Sequence, residues 1–168
     1  MSLKLLGFQL YLAFLFMYRY LYLFLAFCLF SSAFAVAEPV VILVNSRNPV
    51  DSLNKEQVKR YFLLVEKKWP SGEKVNPLGL KDDLPTKSNF ISSVLNLSRS
   101  AYSRHWLSAK QRTGEVEPRR VKSERYVSRI VGSGLNSIGY VSLPFYESLP
   151  DKDKETLKVV FKGQMKDS

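Results

Sequence analysis

Histidine and cysteine are nearly absent from this chain, with one of each, His105 and Cys28, in 168 residues. Beyond position 37 there is no cysteine at all. That excludes a thiol nucleophile, a thiolate metal site and a stapling disulfide from the rest of the chain. One histidine cannot build a histidine-rich metal centre, and His105 beside Trp106 on an apolar helix face reads as a half-buried structural residue. Gly-x-Gly-x-x-Gly, Walker and Gly-x-Ser-x-Gly loops are missing too. The adjacent Asp82 and Asp83 read as a solvated turn rather than a hydrolytic pair. No cofactor is implied, and the chain reads as a non-enzyme.

Acid is also scarce: 15 Asp and Glu face 25 Lys and Arg. Of the 22 Phe, Tyr and Trp residues, 11 lie in the first 37 positions. Leu5 to Phe30 is almost wholly apolar, and Ala33-Phe34-Ala35-Val36-Ala37 carries the small residues of an A-x-A cleavage site. As a membrane span the segment is long enough, but Arg19 near its middle costs roughly 2.5–3.5 kcal/mol on insertion scales. Starting at Met17 avoids that cost, because Met17-Tyr18-Arg19 then forms a basic start and Leu21 to Phe30 the apolar core. Residues 1–37 are therefore read as a secretory signal peptide with Met17 as initiator, and an uncleaved leader as the only membrane attachment. A lipoprotein reading through Cys28 is disfavoured by the bulky Phe27 just before it.

Residues 38–168 form the exported domain, periplasmic or secreted. They keep 23 basic and 15 acidic residues, a formal charge of +8. Such a balance points to an acidic protein partner, an anionic lipid surface or a small anion, and export argues against nucleic acid. Arg119-Arg120-Lys122 and Lys67-Lys68 are the densest basic clusters. At 131 residues a single core is feasible without disulfides.

Val40-Val41-Ile42-Leu43-Val44 is a continuous apolar run, the pattern of a strand buried on both faces of a parallel sheet. Asn54 with Gln57 predicts a capping box opening a helix over 54–64, with Val58, Tyr61, Phe62 and Val65 on its apolar face. Lys74 to Leu80 reads as the next strand, completing a crossover unit, with Pro77 confining it to an edge or irregular position. Helices follow from Pro85 or Thr86, over 98–110, and from Ser123 to Val131, the last with Tyr126, Val127 and Ile130 inward. Ser137 to Val141 and Leu157 to Phe161 read as strands. One α/β domain results, a mostly parallel sheet flanked by helices.

In such sheets ligands sit beyond the carboxyl ends of strands, near helix starts whose free N–H groups favour anions. Two segments qualify. Ser46 and Asn48 follow the first strand, and Thr86-Lys87-Ser88 opens a helix after the second. Together they are the candidate ligands of a small, phosphate-like anion.

The succession Val41-Ile42-Leu43-Val44-Asn45, Asn48-Pro49-Val50, Leu53, Gln57-Val58, Tyr61-Phe62, Trp69-Pro70-Ser71-Gly72 and Asn136-Ser137-Ile138-Gly139-Tyr140-Val141 resembles the phosphate-type periplasmic substrate-binding proteins of ABC transporters. The resemblance implies a type II periplasmic-binding-protein-like fold, two lobes closing on phosphate, and no enzymatic activity. This chain has room for a single lobe. Where the family carries a Gly-Ser-Gly-Thr-Arg-like loop, this sequence has Leu84-Pro85-Thr86-Lys87-Ser88-Asn89-Phe90, keeping the threonine, a basic residue and the phenylalanine but not the glycines. Two functions follow: weak binding of phosphate or another anion in the cell envelope, or a ligand-free envelope protein that meets an acidic partner or anionic lipid. Cleavage after Ala37 predicts that the intact mass of the exported protein corresponds to an N-terminus at Glu38. A mass that retains Met1 or Met17 contradicts the leader assignment.

Overall fold

A computed structural model describes residues 38–163, so the leader and its cleavage site lie outside the described residues. Strand β1 (Val40–Asn45) is buried along its whole length. Helix α1 (Lys55–Phe62) opens on the expected capping box, with Asn54 and Gln57 each bonding the other's backbone N–H. Strand β2 (Asn76–Leu80) leads to α2 (Pro85–Asn89), continued by a π-helical turn at Phe90–Val94. Next come α3 (Arg99–Thr113), β3 (Arg119–Val121), α4 (Glu124–Ser133) and β4 (Ser137–Ser142). Two short helices, α5 (Leu143–Ser148) and α6 (Asp151–Lys154), precede β5 (Leu157–Lys162).

The strands form one sheet in the order β3-β2-β4-β1-β5. β3, β2 and β4 run parallel, whereas β1 runs antiparallel to both of its neighbours, β4 and β5. Four strands thus share one direction and β1 opposes them. The expected crossover from β1 through α1 to β2 is corrected accordingly: β4 lies between the two strands, and they point in opposite directions. A continuous apolar run reports burial on both faces, which a central strand has whatever its neighbours' direction.

Alternation along β4 shows how the faces are covered. Gly139 turns toward α4, where an added Cβ would meet Val127 Cγ1 at 2.4 Å and Val131 Cγ2 at 3.2 Å. Tyr140 turns the other way and stacks on Phe90, centroids 3.9 Å apart and planes 6° from parallel. Phe62 of α1 packs edge-on against Phe90 at 4.7 Å. Helices therefore cover both faces, which is why β1, β2 and β4 are so apolar. Trp69 closes the loop after α1, packing on Tyr61 and donating its indole N–H to the Asn136 carbonyl.

Some details differ from expectation. The positive φ of Leu64 ends the α1 segment, leaving Val65 58% exposed rather than on the apolar face. Tyr126 also lies outward, beneath Lys122 and Arg129, while Val127 and Val131 face the sheet. Pro77, by contrast, is at a locally edge-like position as expected, paired with β4 alone. It is tolerated because β3 pairs only from Leu78 onward, so no hydrogen bond is demanded of its nitrogen on that side. Among the described residues, no helix is long and apolar enough to cross a membrane.

The close seating of α4 on Gly139 is testable. Gly139→Ala forces two β-branched side chains apart and is expected to destabilise the domain by about 1–3 kcal/mol in chemical denaturation. An unchanged midpoint contradicts the packing described.

Candidate functional site

Because β2, β3 and β4 are parallel, their carboxyl ends share one margin of the sheet. The loop after β2 brings Asp82 and α2 there, and the turn after β3 begins α4 with Glu124, while Arg120 lies within β3 and Glu117 on the segment leading into it. The helical spacing of Lys87, Phe90, Ile91 and Val94 places a lysine on the apolar stripe of the α2 segment. Its side chain is only 3% exposed.

A buried ammonium is costly unless it is paired. Lys87 Nζ lies 2.7 Å from Asp82 Oδ1 and 2.5 Å from Glu117 Oε1, and 5.7 Å from the centre of the Tyr102 ring. Tyr102 donates its hydroxyl to the same Glu117 oxygen at 3.1 Å. Arg120 reaches the other oxygen of Asp82 at 2.7 Å. The hydrogen bond from Lys87, foremost, holds the Asp82 carboxyl below its ordinary range. Burial first, then the Glu117 charge, pushes the Tyr102 phenol far above its usual value. The nearby Trp106 indole acts in the opposite sense, although its N–H makes no hydrogen bond of ordinary geometry. Tyr102 therefore stays protonated and remains a donor.

A second carboxylate fills the neighbouring position. Glu124 Oε1 accepts from Thr86 Oγ1 at 3.0 Å and from the Ser142 backbone N–H at 2.5 Å. As the first residue of α4, behind the Ser123 cap, it also complements that helix's positive end. Ser88 Oγ accepts from Arg99 at 2.7 Å. Beneath them the Tyr140 hydroxyl accepts the Leu80 N–H at 3.0 Å, and burial raises that phenol too.

The structure brings Thr86, Lys87 and Ser88 together and separates Ser46 and Asn48 from them. Asn45 pairs with Leu157 at the start of β5, and Val44 with Ile138 near the start of β4. The reversed β1 thus delivers Ser46 and Asn48 to the opposite sheet margin. There Asn48 is 2% exposed, donating to the Leu135 carbonyl and accepting from the Val50 N–H, so it serves as a turn clasp. Ser46 is exposed, its N–H bonded to the Thr156 carbonyl. The expectation that both loops border one cleft is corrected by the direction of β1.

Sequence reasoning missed Glu117, Glu124 and the role of Tyr102. A signal was available: a lysine on an apolar stripe demands a buried counter-charge. Lys87→Met, which strands Glu117 and Tyr102, is expected to cost about 3 kcal/mol, and adding Glu117→Gln to recover much of it. Since the folded Asp82 pKa lies below its unfolded value, its contribution is present above the ordinary carboxylate range and lost as pH falls through the folded value. Acid titrations of stability should therefore be flatter in Lys87→Met than in the parent, and identical profiles contradict the pairing.

No family profile and no curated protein sequence matches the chain. Solved structures do. An ABC-type phosphate transport receptor from Vibrio cholerae superposes with a TM-score of 0.54 at 19% identity, over 73% of this chain and 45% of its own. PstS from Borrelia burgdorferi gives a TM-score of 0.57 at 13% identity, over 73% of this chain and 46% of its own. The chain spans less than half the length of these receptors. The likeness is one of fold: the described residues have the α/β architecture of part of a phosphate ABC transporter substrate-binding protein.

Proposed function

We propose that this chain is an exported envelope module on the phosphate-receptor scaffold that has replaced the external anion by its own carboxylates. It acts through its basic surface on an acidic protein or an anionic lipid surface. The observation that carries this reading is the burial of Lys87 between Asp82 and Glu117. With Thr86 held by Glu124, the threonine and lysine donors of the candidate anion site already have acceptors. A phosphate would have to displace carboxylates that sit a few ångströms from any position it could take, against like-charge repulsion.

The surface supports the same reading. Helix α3 carries Arg99, Arg104, Lys110 and Arg112 and no acid, and Arg119 and Lys122 are exposed beside it in sequence. Exposed like charges favour an oppositely charged partner and faster encounter with it. The module is a binding protein rather than an enzyme, and its place is periplasmic or extracellular.

The second reading, weak retention of phosphate by Thr86, Lys87 and Ser88, is favoured by their adjacency at the carboxyl end of β2 and by the fold of the receptors. Calorimetric titration with phosphate and sulfate separates the two. No saturable heat at millimolar anion is expected. Binding to phosphatidylglycerol vesicles or to an acidic polypeptide should weaken as salt rises beyond about 0.1 M. Saturable phosphate heat would replace the first reading by the second.

A further inference from the structure

Outside the Lys87 cluster lies a recess of about 480 Å³ that neither reading uses. Asp82, Glu117, Arg99 and Arg120 form its walls, and Tyr102 and Trp106 contribute aromatic surface. Arg99 is the unexpected member. It is the first residue of α3, a 15-residue helix with no acid in its first turn, where the positive end of the dipole disfavours a cation. Its guanidinium donates to Ser88 Oγ at 2.7 Å and to the Asp82 carbonyl at 3.4 Å, and has no carboxylate partner among the described residues.

Charge accounting around the recess leaves a surplus. Asp82 and Glu117 offset two of the three cations Lys87, Arg99 and Arg120, through the contacts already described. One positive charge remains, and it belongs to Arg99. A guanidinium presents a planar fork matched to a carboxylate. Beside it Tyr102, Trp106 and Ile91, each more than nine-tenths buried, leave a small apolar surface on the recess against which a ligand's body can rest.

We infer that this recess binds a monocarboxylate with an apolar body, its carboxylate on Arg99 and its body against Tyr102, Trp106 and Ile91. A single negative charge neutralises the surplus. Phosphate suits it less well, because a second charge would face Asp82 and Glu117. The assignment does not depend on which macromolecule the basic surface meets. Two sources offer the same chemistry, a free organic acid and the C-terminal residue of a polypeptide.

Nuclear magnetic resonance of the exported protein tests it, with 3-phenylpropionate, its primary amide, inorganic phosphate and a short peptide ending in phenylalanine as probes. Millimolar 3-phenylpropionate should move the Trp106 indole resonance and the Arg99 and Ser103 amides while leaving Trp69 in place. The amide and phosphate should not. Arg99→Gln should weaken binding by about tenfold or more, and Arg99→Lys should restore it only in part, both with an unchanged denaturation midpoint. Tighter binding of the free-ended peptide than of its amidated form and of the acid supports a polypeptide C-terminus, and equal binding supports a free acid. Absence of shifts, or equal shifts from acid and amide, overturns the inference. Failed carboxylate binding leaves the calorimetric result with phosphate unaffected, so the two readings fail separately.

Discussion

A lysine ammonium removed from water governs the organisation of this domain. Lys87 lies on the apolar side of the α2 segment, and at 3% exposure it must be neutralised locally. Two separate stretches meet that demand, the loop after β2 with Asp82 and the approach to β3 with Glu117, and α3 anchors Glu117 through the Tyr102 hydroxyl. The pairing therefore ties together the parallel half of the sheet and the long helix beside it. It also turns what would be an anion-attracting corner into one already filled by carboxylate oxygens.

Strand ends and helix starts still converge where α/β sheets place ligands. Backbone geometry alone does not decide function, which resides in the side chains set on it. Here Glu124 takes the Thr86 hydroxyl and the Ser142 N–H. What is left exposed is positive charge on α3 and around β3, facing outward rather than into a shared cleft.

Much of the fold was legible from local pattern. The Asn54–Gln57 box, the buried run of β1, the Ile138-Gly139-Tyr140 strand and the Trp69 loop each encode their structure within a few residues. Strand direction was not legible, because an apolar run such as Val40 to Val44 is equally suited to a parallel and an antiparallel centre. That single ambiguity moved Ser46 and Asn48 to the wrong end of the sheet. At the site, Thr86 and Lys87 were identifiable from their place after a strand, but apart from the nearby Asp82 their partners lie 30 and 38 positions away, at Glu117 and Glu124. Such pairings are set by tertiary packing. Only the misfit of a lysine on an apolar stripe announced that they must exist.

The most direct test of the internal-anion account is a crystal structure of residues 38–168 grown from concentrated phosphate. The account predicts Lys87 Nζ in contact with Asp82 and Glu117, Thr86 in contact with Glu124, and no tetrahedral density among them. A phosphate bound to Lys87 and Thr86, with Asp82, Glu117 or Glu124 swung aside, would contradict it.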